Sequence, residues 1–377
     1  MKIDWTSTQT EILINPRMPQ DEAQRWQRAL SEVSLQSHFW LSTSGSSGKS
    51  KWVALSKKAV LTSARGVNEH LQCDSLSFND RWLHVLPSFH VGGLGIWARS
   101  FLSGAEVIDL YSRLKKWDVH EFVKVACDSQ ATLSALVPTQ IFDLVQSKLQ
   151  APSSLRAIIV GGGALADSLY REAIKLGWPL LPSYGLTECG SQVATASMGA
   201  LDPTLQILPH VQVQIDPQGL IQIQSEALLT LYAIENQSGC IELKDPIKQG
   251  WFTTEDFGSV SGKTLSINGR KGSFLKIGGE SVDFSRLEKI FEQVRLEFAL
   301  PDELFINAIP DERLGYIVQL VTALPRDQST LVCEVIEKFN QRVLPIERIR
   351  ETRWVDVIPR SPLGKILTNW STKLFFK

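Results

Sequence analysis

Leu41-Ser42-Thr43-Ser44-Gly45-Ser46-Ser47-Gly48-Lys49-Ser50-Lys51 alternates hydroxyls with glycines and then turns basic. Glycines let backbone N–H groups converge, hydroxyls add donors and lysine adds charge, so the stretch is suited to wrapping a polyphosphate. A flexible Ser/Gly linker is the competing reading of the same composition. Gly48-Lys49-Ser50 also ends like the phosphate loop of nucleoside triphosphatases. That loop needs a glycine where Thr43 stands, and Gly45 lies too near to close the same cradle.

Downstream of the loop, apolar strand-like and helical runs alternate: 82–86 then 95–102, 107–110 then 119–126, 132–137 then 140–148, and 157–160 then 165–176. The alternation predicts an α/β fold, a parallel sheet flanked by helices on both faces. Ligands of such sheets collect at the carboxyl ends of the strands, which puts segment 88–95 and Gly161-Gly162-Gly163 on one edge. After Gly190 the character changes. Val211, Val213 and Ile215 alternate, Asp216-Pro217-Gln218-Gly219 turns, and 220–223 resumes, a hairpin signature that predicts a smaller antiparallel β region. Beyond Gly272 a helix near 285–294, strands near 304–309 and 317–322, and a helix near 331–343 predict a compact α+β unit. The expected domains are therefore 1–271 and 272–377.

With 377 residues the chain can bury a substantial core, and its formal net charge of -1 gives no global attraction to nucleic acid or anionic membranes. Nucleic acid is not an expected partner. The five cysteines, Cys73, Cys127, Cys189, Cys240 and Cys333, are scattered and lack Cys-x-x-Cys spacing, so neither a zinc site nor a disulfide framework is indicated. Met1-Lys2-Ile3-Asp4-Trp5 does not open a signal peptide, and no apolar run approaches the ~18 residues of a membrane span. A cytoplasmic protein without membrane insertion is expected.

Further motifs follow at long spacing. Ser183-Tyr184-Gly185-Leu186-Thr187-Glu188 follows an apolar run and offers a flat aromatic face beside a carboxylate that can anchor a hard cation. Gly250-Trp251-Phe252-Thr253-Thr254-Glu255-Asp256 ends in an acceptor. Asn268-Gly269-Arg270 precedes Lys276-Ile277-Gly278-Gly279-Glu280, and Pro359-Arg360-Ser361-Pro362-Leu363-Gly364-Lys365 brings a lysine near the end of the chain. Leu86-Pro87-Ser88-Phe89-His90-Val91-Gly92-Gly93 places an aromatic–histidine pair after the first parallel strand. Each alone is more often an exposed turn or a solvated side chain. Their order from Thr43 to Lys365 makes coincidence a poor explanation.

Together these motifs resemble those of the adenylate-forming superfamily, in its acyl-CoA ligase branch. The resemblance implies a large N-terminal domain and a small mobile C-terminal one, with ATP, Mg2+ and coenzyme A as cofactors and a small carboxylic acid as substrate. It implies that Thr43, Ser44, Gly45, Ser46, Ser47, Gly48 and Lys51 hold phosphates, and that Gly162, Gly163 and Tyr184 approach adenine beside Gly185. Thr187 would touch the α-phosphate, Glu188 the metal, Asp256 the ribose hydroxyls, and Arg270 ribose or phosphate. Lys365 would be catalytic in adenylation. His90, as a catalytic and substrate residue, would line the acid site with Gly93, and Arg99 would pair with a second carboxylate. Segment 86–96 is most similar to that of the o-succinylbenzoate-CoA ligases of menaquinone biosynthesis. A ligase for another aryl or short acyl acid, or a catalytically silent nucleotide-binding relative, is the alternative.

The chain departs from the family pattern at Ser50, where proline is usual, at Glu255, where glycine is usual and a local turn is expected, and at Gly272, where the hinge is normally Asp or Lys. Far fewer residues precede the phosphate loop than in most relatives, and a dimer or a rebuilt edge would cover the sheet left exposed.

Overall fold

The computed structural model describes residues 3–44, 50–73, 79–114, 116–200, 202–236, 239–270, 274–277, 280–311, 314–360 and 366. The chain opens with β1 (Glu11–Leu13), α1 (Gln20–Ser31), β2 (His38–Ser44), β3 (Ser50–Ser56) and α2 (Lys57–His70). An alternating series follows: β4 (Arg81–His84), α3 (Val91–Ser103), β5 (Glu106–Asp109), α4 (Val119–Asp128), β6 (Leu133–Leu136), α5 (Pro138–Gln146), β7 (Ala157–Val160), α6 (Asp167–Lys175) and β8 (Leu180–Leu186). Strands then dominate, with β9 (Ser191–Ala196), β10 (Leu205–Ile207), β11 (Gln212–Ile215), β12 (Leu220–Gln224), β13 (Leu231–Glu235), β14 (Ile241–Lys244), β15 (Ile247–Lys248), β16 (Trp251–Ser261) and β17 (Thr264–Arg270). The series closes with β18 (Phe274–Ile277), β19 (Glu280–Asp283), α7 (Phe284–Glu297), β20 (Leu304–Asp311), β21 (Gly315–Thr322), α8 (Ser329–Asn340) and β22 (Ile349–Trp354).

The alternating series forms the expected parallel sheet, in the order β5-β4-β6-β7-β8. Its strands bury residues on both faces, as parallel strands covered by helices must: Leu133 to Leu136 and Ala157 to Val160 are all buried. Trp82, Leu133, Ala157 and Ile159 pack with Val67 and Ile96 from α2 and α3. The antiparallel region is not a separate layer. β8 runs parallel to β7 on one side and antiparallel to β9 on the other, so β9, β10, β17, β16, β12 and β11 continue the same sheet. The predicted hairpin is β11–β12, with Asp216 N–H donating to Leu220 O and Gly219 at φ 87° in the turn. A second sheet, in the order β1-β2-β3-β13-β14, buries Trp40, Trp52 and Ala233 against Trp26 and Leu30 of α1.

Helix starts are set by local chemistry. Ser56 Oγ accepts from Ala59 N–H at the head of α2, and Asp118 accepts from His120 and Glu121 N–H at the head of α4. Gly104 closes α3 in the left-handed conformation.

Two compact units divide the chain. The first comprises Met1–Ala164, Ala173–Thr254 and Ser259–Ser266; the second comprises Leu165–Glu172, Glu255–Gly258 and Ile267–Lys377. The second has its own core, in which Leu287, Phe291 and Val294 of α7 meet Leu304 and Ile306 of β20, Val318 and Leu320 of β21, and Phe339 of α8. Among the described residues no helix is long and apolar enough to cross a membrane.

Candidate active site

Strands β2 and β3 pair antiparallel from His38↔Ser56 to Ser44↔Ser50, so segment 45–49 joins two adjacent strands. A nucleoside triphosphatase loop instead feeds a helix, which removes that reading. Gly45, Ser46, Ser47 and Gly48 lie outside the described residues, as does the side chain of Ser44. Thr43 Oγ1 donates to Lys51 O at 3.3 Å across the strand pair.

Lys51 reaches the second motif. β3 pairs with β13, Val53 facing Tyr232 and Lys51 facing Ile234, so Lys51 and Tyr232 project diagonally from one face. Glu188 stands on the 3-10 turn Thr187–Cys189 that follows β8. Its Oε1 accepts from Lys51 Nζ at 2.9 Å and from Tyr232 Oη at 2.8 Å, while Lys51 Nζ lies 4.1 Å from the Tyr232 ring centre. The turn is tied to the segment leading into β13 by Leu229 N–H, which donates to Glu188 O. This buried carboxylate is matched by an ammonium and a phenol O–H, and the ammonium in turn lies over the face of the same phenol ring.

Tyr184 and Gly185 sit at an irregularity in the β8–β9 ladder. A Cβ on Gly185 would stand 1.9 Å from Ser191 O, so no other residue fits this close crossing of backbones. Gly162 and Gly163 form the turn after β7, on the strand edge shared with Tyr184.

At the other end of the motif set, His90 is the N-cap residue of α3 and its ring lies 4.7 Å from that of Phe89. Gly93, in the first turn, lies against the preceding loop: a Cβ there would meet Pro87 O at 2.3 Å. Arg99 follows on the same helix and is 2% exposed. Its Nη2 donates to Gln192 Oε1 at 2.9 Å and lies 3.5 Å from Ser191 Oγ, and its guanidinium lies 5.4 Å from the Trp82 ring centre. Nε and Nη1 are buried without a hydrogen-bond partner among the described residues. Burial pushes the Arg99 guanidinium down to about 10, still charged at neutral pH.

In the second unit, Arg270 Nη2 donates to Glu255 Oε2 at 2.9 Å, and Arg270 Nε lies 3.9 Å from Asp256 Oδ1. Glu255 does not sit in the expected turn. It continues β16 without a positive φ, and its side chain turns to Arg270, which is why a bulky residue is accommodated. Gly272 and Lys365 lie outside the described residues; Arg360 and Ile366 form an isolated antiparallel bridge on either side of 361–365.

Tyr232, Ser191 and Gln192 were not singled out by sequence. The last two lie three and four residues after Glu188, whereas Tyr232 carries no local signal beyond strand alternation. Among the described residues no group of three or more His, Cys, Asp or Glu could hold a metal. A single carboxylate such as Glu188 fits Mg2+ supplied with a nucleotide, because this ion keeps several waters and takes most other ligands from phosphate.

Residues 11–224 match the model of the AMP-binding enzyme family, and the chain belongs to that family. Among curated relatives it is 30% identical over 345 residues to indoleacetate–CoA ligase of Aromatoleum aromaticum, covering 86% of this chain and 64% of that protein. It is 27% identical over 341 residues to 2-succinylbenzoate–CoA ligase of Bacillus licheniformis, covering 86% and 67%. The chain thus spans about two thirds of the length of these relatives. Its fold matches o-succinylbenzoate CoA synthetase of Bacillus subtilis in complex with an acyl-adenylate intermediate, with TM-score 0.71 and 23% identity over 88% of this chain and 68% of that one.

Proposed function

We propose that this chain is an AMP-forming acid–CoA ligase and that its acid is o-succinylbenzoate. The acid carboxylate attacks the α-phosphorus of ATP and pyrophosphate leaves; CoA thiolate then attacks the acyl-adenylate carbonyl and AMP leaves. The motif order and family membership support the reaction class. The observation that carries the substrate is Arg99, a buried guanidinium with two nitrogens, Nε and Nη1, lacking acceptors among the described residues. A substrate with a second carboxylate satisfies it, and one without leaves it unsatisfied.

In this reading residues 43–51 hold the β- and γ-phosphates, Thr187 the α-phosphate, Asp256 and Arg270 the ribose side, and Tyr184 with Gly162 and Gly163 the base. Glu188 would hold Mg2+, which supplies charge neutralisation on the phosphates. Lys51 exchanges Glu188 for phosphate as the nucleotide arrives. Lys365 offsets the repulsion between carboxylate and triphosphate, and His90 lines the acid site. A change of φ and ψ at Gly272 would let the second unit serve both half-reactions.

The second reading is a ligase for an aryl acid with one carboxylate, favoured by the 30% identity to an indoleacetate–CoA ligase. The test is AMP and pyrophosphate release from ATP and CoA with o-succinylbenzoate, indoleacetate, benzoate or a fatty acid. We expect o-succinylbenzoate to be preferred and Arg99→Leu to lower its kcat/KM by about 100-fold, the range of a lost charge-assisted pair, with little effect on monoacids. Turnover of indoleacetate alone, unaffected by that substitution, establishes the second reading. ADP as product overturns both.

A further inference from the structure

Beside the acid-site segment lies a partly buried chain of polar side chains that the proposed reaction leaves unused. His84 ends β4 and Asp109 ends β5, and the two are directly paired in the parallel register. His84 is fully buried, and its Nδ1 lies 3.0 Å from Asp109 Oδ1. Burial alone would raise the Asp109 carboxyl, but hydrogen bonds from His84 and from Ser112 outweigh it and hold the group well below the usual range. An ionised Asp109 only accepts, so His84 Nδ1–H is the donor of that bond. Nε2 lies 3.3 Å from Ser88 Oγ, which in turn receives Trp97 Nε1–H at 3.1 Å.

A serine, a histidine and an aspartate linked in this order share the connectivity of hydrolytic triads. Ser88 differs in being held from both sides, since the Trp97 indole donates to the same oxygen. Its position explains the arrangement better. Ser88 lies in the loop between β4 and α3, two residues before His90, and Trp97 lies two residues before Arg99. β5 and β6 flank β4 on opposite sides, so this loop leaves the sheet at a topological switch point, where α/β proteins recognise ligands.

We propose that Asp109, His84, Ser88 and Trp97 are positioning residues for acid recognition: the chain from β5 through β4 to α3 fixes the loop and first helical turns that present His90 and Arg99. The role in acid recognition rests on the ligase reading. The tie between loop and helix does not. In turnover, Ser88→Ala and Trp97→Phe should each raise the KM for the acid about five- to tenfold, the range of one or two lost hydrogen bonds, with the KM for ATP within twofold. Ser88→Thr should recover most of the loss. Independently of turnover, hydrogen exchange should report the tie. Gly93 and Leu94 N–H donate to His90 O at 3.1 and 3.0 Å, and both should exchange several-fold faster in Ser88→Ala than in the wild type while β6 and β7 amides stay unchanged.

If no acid is turned over, the ligase reading fails and the exchange experiment alone decides the tie. Unchanged exchange at Gly93 and Leu94 overturns the positioning role whatever the substrate. Equal rises in both KM values overturn its selectivity for the acid. Covalent labelling of Ser88 in the wild type by a fluorophosphonate makes it a nucleophile instead, which also overturns the proposal.

Discussion

Lys51 and Glu188 hold each other at 2.9 Å, and Tyr232 braces both, by a hydrogen bond to the carboxylate and a ring beneath the ammonium. The arrangement holds two opposite charges together in a setting where either alone would be poorly solvated. Lys51 and Glu188 were legible because they sit in short motifs whose spacing is chemical. Tyr232 was not, because it reaches Glu188 from 44 residues away along a strand of ordinary alternation. Arg99 was legible as a candidate, but its burial was not, since that depends on contact between α3 and β9, where Gln192 accepts from it. His210 shows another property that only packing reveals. Burial pushes its imidazole down to about 4, against an opposing backbone contact from Gln192. The unfolded chain then binds a proton below pH ~6.5 that the folded chain refuses, so stability is lost as pH falls from ~6.5 toward 4. Comparing urea unfolding of the wild type with His210→Phe should show their stability difference changing by roughly 3 kcal/mol across that window, the wild type losing more. A difference that stays constant with pH would show that His210 titrates normally.

Gly66 and His210 set the fit of helix α2 against the loop before β11. An ideal Cβ on Gly66 would lie 2.0 Å from His210 Nδ1. Alanine in a helix interior normally stabilises by about 1 kcal/mol over glycine, whereas forcing atoms into a packed site costs about 1–3 kcal/mol. Gly66→Ala should therefore destabilise by about 1–2 kcal/mol in urea unfolding. Added to His210→Ala, which clears the space, the same substitution should instead stabilise by a few tenths to about 1 kcal/mol. Equal effects in the two backgrounds would rule out the contact. Sequence periodicity found α2's neighbours among the alternating elements well, because β4 to α6 owe their form to local runs of apolar residues. It placed α3 at 95–102, whereas the helix starts at Val91, since Gly92 and Gly93 interrupt the apolar pattern that marks a helix start. It also separated the antiparallel strands from the parallel sheet. The join is the β8–β9 pairing around Gly185 and Ser191, a backbone crossing that apolar alternation does not encode.

At the scale of the molecule, the chain's two compact units each carry their own apolar core, and the proposed chemistry divides between them. Lys51 and the carboxylate Glu188 belong to the first unit, while Asp256, Arg270 and the sequence position Lys365 belong to the second. If Lys365 offsets charge only while the acid carboxylate attacks ATP, its removal must act on one half-reaction. Adenylate formation brings an anion against a triphosphate and needs the added cation; attack of a thiolate on a finished acyl-adenylate does not meet the triphosphate at all. Lys365→Ala should slow pyrophosphate release from ATP and o-succinylbenzoate by about 100- to 1,000-fold, the range for removal of one group that stabilises transition-state charge. Thioester formation from supplied o-succinylbenzoyl-adenylate and CoA should stay within about threefold of the wild type, because binding and orientation of the adenylate are retained. Equal losses in the two half-reactions would mean that Lys365 supports the fold or the nucleotide in general. Loss confined to the thioester step would assign it to CoA, and the adenylation role would then fall to a cation of the first unit.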